Sequence, residues 1–221
     1  MVSPVVDHSG QFGQARDQGR RPTCIVFAIS DGHAFFRKSP DELLSPEYLF
    51  YKAAERQRPD HHYDGVKTVA VEQALSEDGQ PLEDHYPYLT HLSAKADLPV
   101  PDEPFPHPRH RAKWIYQSFS PDLVAQLVSA GESILLILKI TDAFRRVKTG
   151  QAVLRLEELD LDNDPVAGIH AVVGVGYGLD KSGESYVRIR NSWGHRWAAD
   201  GYVWLPMKYL AKHLAWMAKF G

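Results

Sequence analysis

The sequence predicts an α+β protein of two segregated lobes, on three observations. Helix signals crowd the first half, strand-like runs crowd the second, and a stretch holding Pro99, Pro101, Pro104, Pro106 and Pro108 lies between them. With 221 residues, 43% of them hydrophobic, the chain can bury a large core as one domain or as two small lobes. A cleft between lobes is a usual place for a site.

The first helix is expected from Cys24 to about Arg37, with Thr23 as N-cap, an apolar run through Ile29, and Pro40 as the break. The second begins at Ser45-Pro46-Glu47, a cap followed by proline at the first helical position, and runs to about Gln57. The third spans Val66 to Ser76, where Val66, Val69, Ala70, Ala74 and Leu75 recur at helical spacing before the stop at Gly79. Residues 97–108 are too proline-rich for a regular element and cross between the lobes. A capped helix follows from Ser120-Pro121-Asp122 to Ser129. Strands are then expected at Ser133 to Ile140, Gln151 to Leu156, His170 to Val175, Ser185 to Arg190 and Gly201 to Leu205. No internal repeat or low-complexity tract interrupts this order.

The net charge of −3 and pI near 6.4 argue against phosphate-backbone binding, so nucleic acid is not an expected partner. No run approaches a membrane span. The opening Met1-Val2-Ser3-Pro4-Val5-Val6-Asp7-His8 lacks the basic start and apolar stretch of a signal peptide. The expectation is a soluble, cytoplasmic protein; a chain with its leader removed, or an effector exported by a specialised system, carries the same signature. A single cysteine excludes any intramolecular disulfide.

That cysteine, Cys24, falls in a first helical turn, where unpaired backbone N–H groups and the helix dipole favour thiolate over thiol. A lone cysteine ordinarily packs as a small hydrophobe, so its company decides. Six residues upstream, Gln18 can return across the Gly19 turn and donate, with the Cys24 N–H, to a carbonyl oxygen gaining negative charge. His170 opens an apolar run, where each ring nitrogen needs a partner. Asn191 ends a strand and can accept from one of those nitrogens, leaving the other to face the thiol, with Trp193 lying over the bond.

These segments together resemble the papain-like cysteine peptidases. The matching pieces are Gln18-Gly19 ahead of Cys24, Phe27 in the nucleophile helix, Leu44-Ser45-Pro46-Glu47-Tyr48-Leu49, and Tyr86-Pro87-Tyr88. Further along come Gly168-Ile169-His170-Ala171-Val172, then Asn191-Ser192-Trp193-Gly194 with Trp197 and Gly201-Tyr202. The resemblance covers about Val5 to Leu205. It implies one catalytic domain, 1–221, with a helical lobe of about 20–95 and a strand-rich, barrel-like lobe of about 110–221, to which residues 1–19 cross. It also implies Cys24 as nucleophile, His170 as its base, Asn191 orienting that base and Gln18 at the oxyanion, acting on a protein or peptide substrate without metal or cofactor. Asp64 and Gly65 resemble the wall that aligns an extended substrate, with Trp193 and Ile169 as further substrate-binding residues.

The chain departs from the family in places. Ile25 stands where a tryptophan usually follows the nucleophile, and Arg21-Pro22-Thr23 stands where a second cysteine usually precedes it. The lack of disulfides fits an intracellular, prokaryotic branch. Relatives commonly carry an inhibitory prosegment and none precedes this domain, which implies control by a partner, a separate inhibitor or restricted delivery. Two other readings keep the same residues: a side-chain amide deamidase or transamidase, and a silent homologue that binds peptides. Remaining features read as background. Asp60-His61-His62-Tyr63-Asp64 and His107-Pro108-Arg109-His110 are taken as exposed loops instead of metal sites, and Gly174, Gly176 and Gly178 as a strand and hairpin. Arg145 and Arg146 are taken as solvated charges, and Arg20 with Arg21 as raising the potential near Cys24.

Overall fold

The computed structural model describes residues 1–39, 42–57, 64–93 and 97–221. Helix α1 spans Cys24–Phe36, α2 Pro46–Arg56, α3 Thr68–Glu77, α4 Pro121–Ser129, α5 Asp142–Arg145 and α6 Met207–His213. The strands are β1 Val2–Asp7, β2 Trp114–Gln117, β3 Ile134–Thr141, β4 Val166–Asp180, β5 Ser185–Arg190, β6 Tyr202–Pro206 and β7 Leu214–Phe220. The protein is therefore mixed α+β with an antiparallel sheet, in the order β2-β7-β3-β4-β5-β6.

Helix α1 is buried without a break from Ile25 to Phe35, mostly apolar, with its polar Ser30, Asp31 and His33 hydrogen-bonded inside. Thr23 stands at its N-cap, but its side chain caps nothing; the hydroxyl is 2.8 Å from the Tyr88 hydroxyl instead. At α2 and α4 the caps work as the sequence indicates. Ser45 Oγ accepts the Tyr48 N–H at 3.0 Å, and Ser120 Oγ accepts the Leu123 N–H at 3.0 Å, each with proline at the first helical position.

The centre of the sheet is buried on both faces, and β3 shows why its sequence is a continuous apolar run. Leu135 and Ile137 pack with α1, α2 and α3, while Ile134, Leu136, Leu138 and Ile140 face a second core that includes Val124, Val128, Phe144 and Tyr209. Long β4 serves three neighbours: its first part pairs with β3, its later part with β5, and its end with β1. The glycines of the 174–178 run do lie in a strand, with a tight turn at Asp180–Gly183 into β5. A Cβ at Gly178 would come within 2.8 Å of Ser3 O, so glycine there lets β1 lie against β4.

Several boundaries differ from the sequence reading. Gln151–Leu156 is not a strand: only Val153 bridges to Trp204, and the chain then turns into a 3-10 helix at Leu156–Glu158. The Glu158 carboxylate accepts the Arg155 N–H at 2.7 Å and competes with extension. The expected strand at His170 to Val175 is the middle of β4, and helix α3 starts at Thr68, two residues late. Elements β1, β2, α5, α6 and β7 had no counterpart. Residues 97–108 carry no helix or strand, as their prolines require. Among the described residues no helix is long and apolar enough to cross a membrane.

Candidate active site

Four segments meet at one place. Cys24 is the first residue of α1, His170 lies in β4, Asn191 directly follows β5, and Gln18 precedes α1 on a loop sewn to the Asn191 segment. That sewing is backbone work. Gln18 N donates to Ser192 O at 2.9 Å, Gly194 N donates to Arg16 O at 3.0 Å, and Asp17 bridges to Trp193.

The protonation of the histidine follows from its partners. Asn191 Oδ1 accepts the Ser192 N–H at 2.8 Å and lies 2.7 Å from His170 Nε2. A backbone N–H can only donate, so the shared atom is the carboxamide oxygen and Nε2 carries the hydrogen. Nδ1 is left as the basic nitrogen. Trp193 covers the imidazole, with ring centroids 4.6 Å apart at 34°, and Phe144 meets it edge-on at 6.2 Å. His170 and Asn191 are both buried. Phe144 was not legible as part of this wall, because its short helix brings it here only through the fold.

Cys24, His170, Ile169 and Asp64-Gly65-Val66 line one cavity of about 250 Å³, together with Ile25, Ile137 and Ala171. The cavity thus gathers the residues expected from sequence to be nucleophile and base, and three of the four expected to hold substrate. Ile169 is exposed at its rim. Gly65 has φ +103°, and a Cβ there would approach Pro22 O to 3.2 Å, so this wall lies close against the turn that leads into α1. Trp193 lines a separate cavity of about 350 Å³, with Asp17, Glu83, Thr90 and Arg196.

Burial pushes the Cys24 thiol up, while backbone hydrogen bonds from Ala171, Ile25 and Cys24 itself act in the opposite direction. Burial likewise pushes His170 down to about 4; the Asn191 bond opposes that shift and the positive charge of Arg145 adds to it. Each group alone is held neutral against bulk water. A proton passed from Sγ to Nδ1 makes two opposite charges at once, and their mutual attraction offsets the separate desolvation costs.

One arginine assignment changes. Arg21 does not act on the thiol: it is buried, and its guanidinium is neutralised by Glu47 through bonds of 2.6 and 2.8 Å. Arg145 is exposed, as the sequence suggests, and its charge adds to the lowering of His170. Of the histidine clusters, residues 60–63 lie outside the described residues. His107 stacks on His85 at 3.9 Å, and His110 is half-buried and exchanges backbone bonds with Gln80. Among the described residues, no three His, Cys, Asp or Glu side chains gather as a metal site would require.

The Gln18 side chain is fixed at both ends. Its Oε1 accepts from Ser192 Oγ at 2.7 Å, and its Nε2 donates to Arg21 O at 2.8 Å, leaving one N–H uncommitted.

Known proteins resemble this chain throughout. The family model described as papain family cysteine protease matches residues 62–213, more than half of the chain; the span takes in His170 and Asn191 and begins after Cys24. Xylellain, a cysteine protease from Xylella fastidiosa, shares the fold with a TM-score of 0.75 and 21% identity, over 100% of this chain and 86% of that one. The Carica candamarcensis cysteine protease CMS1MS2, solved with E-64, gives 0.71 and 18%, over 96% and 95%. Local sequence likeness is higher. Cysteine proteinase COT44 of Brassica napus is 49% identical over 43 residues, 20% of this chain and 13% of that protein. Fruit bromelain of Ananas comosus is 53% identical over 34 residues, 15% and 10%. The matches thus span about a tenth of the length of the curated relatives.

Proposed function

The chain belongs to the papain family of cysteine proteases, and from that premise we propose that it is a cysteine peptidase that hydrolyses peptide bonds through an acyl-enzyme on Cys24. The observation that carries the reading is the Asn191 oxygen shared between His170 Nε2 and the Ser192 N–H, since it presents Nδ1 as a base beside the cavity that Cys24 lines.

In this mechanism His170 Nδ1 takes the Sγ proton, and sulfur attacks the amide carbonyl to form a C–S bond. The carbonyl oxygen becomes an anion, held by the Cys24 N–H and the free N–H of Gln18. The C–N bond then breaks as His170 returns the proton to the leaving amine. Water, deprotonated by the same nitrogen, attacks the thioester and restores the thiol. Asp64 and Gly65 align the substrate chain. Ile25, Val66, Ile137, Ile169 and Ala171 favour an apolar side chain next to the reacting carbonyl, and Trp193 screens the His170–Asn191 bond from water. The substrate is a protein or extended peptide, and a regulatory protein or inhibitor controls access to it. Having a single cysteine suits a reducing compartment such as the cytoplasm.

Cleavage-site profiling on a peptide library tests this, with Cys24→Ala as control. New peptide termini that depend on Cys24, with an apolar residue preferred on the acyl side, are expected. Release of ammonia from glutamine side chains without new termini would make the protein a deamidase.

A further inference from the structure

The loop that carries Gln18 into α1 has no covalent tie, because Cys24 is the chain's single cysteine. Gly19, with φ +61°, adds backbone freedom. Yet an oxyanion donor must be held within a fraction of an ångström of its working position. Something non-covalent has to immobilise this loop.

We infer that Arg21 is the positioning residue for Gln18, fixing the oxyanion donor through a buried ion pair with Glu47. The carbonyl of Arg21 is the acceptor for Gln18 Nε2, at 2.8 Å, and also takes the Thr23 N–H at 2.9 Å. Where that carbonyl points is set by the side chain behind it. The guanidinium is 2% exposed and forks onto Glu47, which is 0% exposed on α2. It also lies 4.9 Å from the Tyr88 ring centre and 5.3 Å from that of Phe50.

Tyr88 closes the frame. Its hydroxyl donates to Gln18 O at 2.8 Å and meets Thr23 Oγ1 at 2.8 Å, while its ring packs on Phe27 of α1 at 4.6 Å. Residues 18, 21 and 23 are thus tied to α2 and to the 88–89 segment, whose Leu89 N–H also reaches Glu47 at 3.3 Å. Arg21 touches no reacting atom; it acts only through Gln18.

The catalytic consequence rests on the peptidase reading, but the positioning does not, and the test separates them. In the wild type, the Gln18 side-chain amide, identified in ¹⁵N spectra by its loss in Gln18→Ala, exchanges slowly with solvent. In Arg21→Lys, which keeps charge but loses the fork, it exchanges like a free glutamine. Arg21→Met/Glu47→Gln gives the same result without leaving a buried unpaired charge, and its melting temperature shows that folding is intact. On a peptide substrate either variant lowers kcat about tenfold, a fraction of what loss of a whole oxyanion donor costs. In a Gln18→Ala background the same changes have no further effect, within about twofold. A Gln18 amide that stays protected in both variants overturns the inference, whatever the activity does. An amide set free with kcat unchanged would leave the positioning standing and remove Gln18 from the mechanism.

Discussion

Asn191 has the fewest alternatives of any residue in the site, because one oxygen serves both the Ser192 N–H and His170 Nε2. That arrangement makes the tautomer of His170 a property of the backbone. Asn191→Ala therefore lowers kcat and leaves thiol alkylation at Cys24 possible, since the nucleophile itself is unchanged. Removing the proposed oxyanion donor has a larger expected effect: Gln18→Ala reduces kcat on the order of 10²- to 10³-fold with little change in KM, measured on a peptide found by library profiling. Gln18, Cys24, His170 and Asn191 could be proposed from the sequence because each occurs in a short motif that resembles the papain-like family. The role of Arg21 could not. A charge near a thiol in sequence raises its potential only if unpaired, and Glu47, which pairs it, lies on the next helix.

Among the elements, α1 and β5 have to keep their spacing if Cys24 is to face His170 and Asn191. A buried ion network spans them. Asp31 on α1 accepts from Arg16 and from Arg190, the residue before Asn191, with both contacts at 2.7 Å. Burial alone would raise the Asp31 carboxyl, but the two guanidinium groups outweigh it and hold it below its ordinary value. Arg190 also donates to Gly13 O at 2.8 Å, Gln14 O at 3.0 Å and the Tyr202 hydroxyl, which leaves it no freedom. Asp31→Ala leaves Arg190 without a carboxylate in a poorly hydrated site, and Arg16 with Glu83 alone, and costs about 3–5 kcal/mol of stability, read by urea denaturation. Asp31→Asn costs less, since it keeps an acceptor. The helices were legible because capping serines, N1 prolines and apolar spacing all coincide. Strand β7 was hidden because Leu214–Phe220 follows α6 with no Gly or Pro to mark the change, and its pairing partners, β2 and β3, are remote in sequence.

At the scale of the whole molecule, the centre of one sheet is buried on both faces between two cores, so histidines taken inside must stay neutral. Burial lowers His33, on α1 beside Gln80, to about 4, and does the same to His170. Both lie below the ordinary value of 6.5, so as pH falls the unfolded chain binds protons first. The part of the stability that these two histidines contribute is full above about 6.5, declines as pH falls towards about 4, and levels off below that. The slope is up to about 1.4 kcal/mol per pH unit for each histidine. His33→Gln should flatten the urea-midpoint profile in that window by one histidine's share. The α+β class was legible because helix signals crowd the first half and strand-like runs the second; the pairing of β1 with β4 was not, since its register depends on contacts between segments remote in sequence. Whether this fold brings Cys24 and His170 together for acyl transfer is read by acid-quenching the protein during turnover of an activated ester and weighing its tryptic peptides. An acyl group is expected on Cys24, absent in Cys24→Ala and slow to form in His170→Ala. Turnover that proceeds in Cys24→Ala, with no adduct on Cys24 in the wild type, would overturn the proposed acyl transfer.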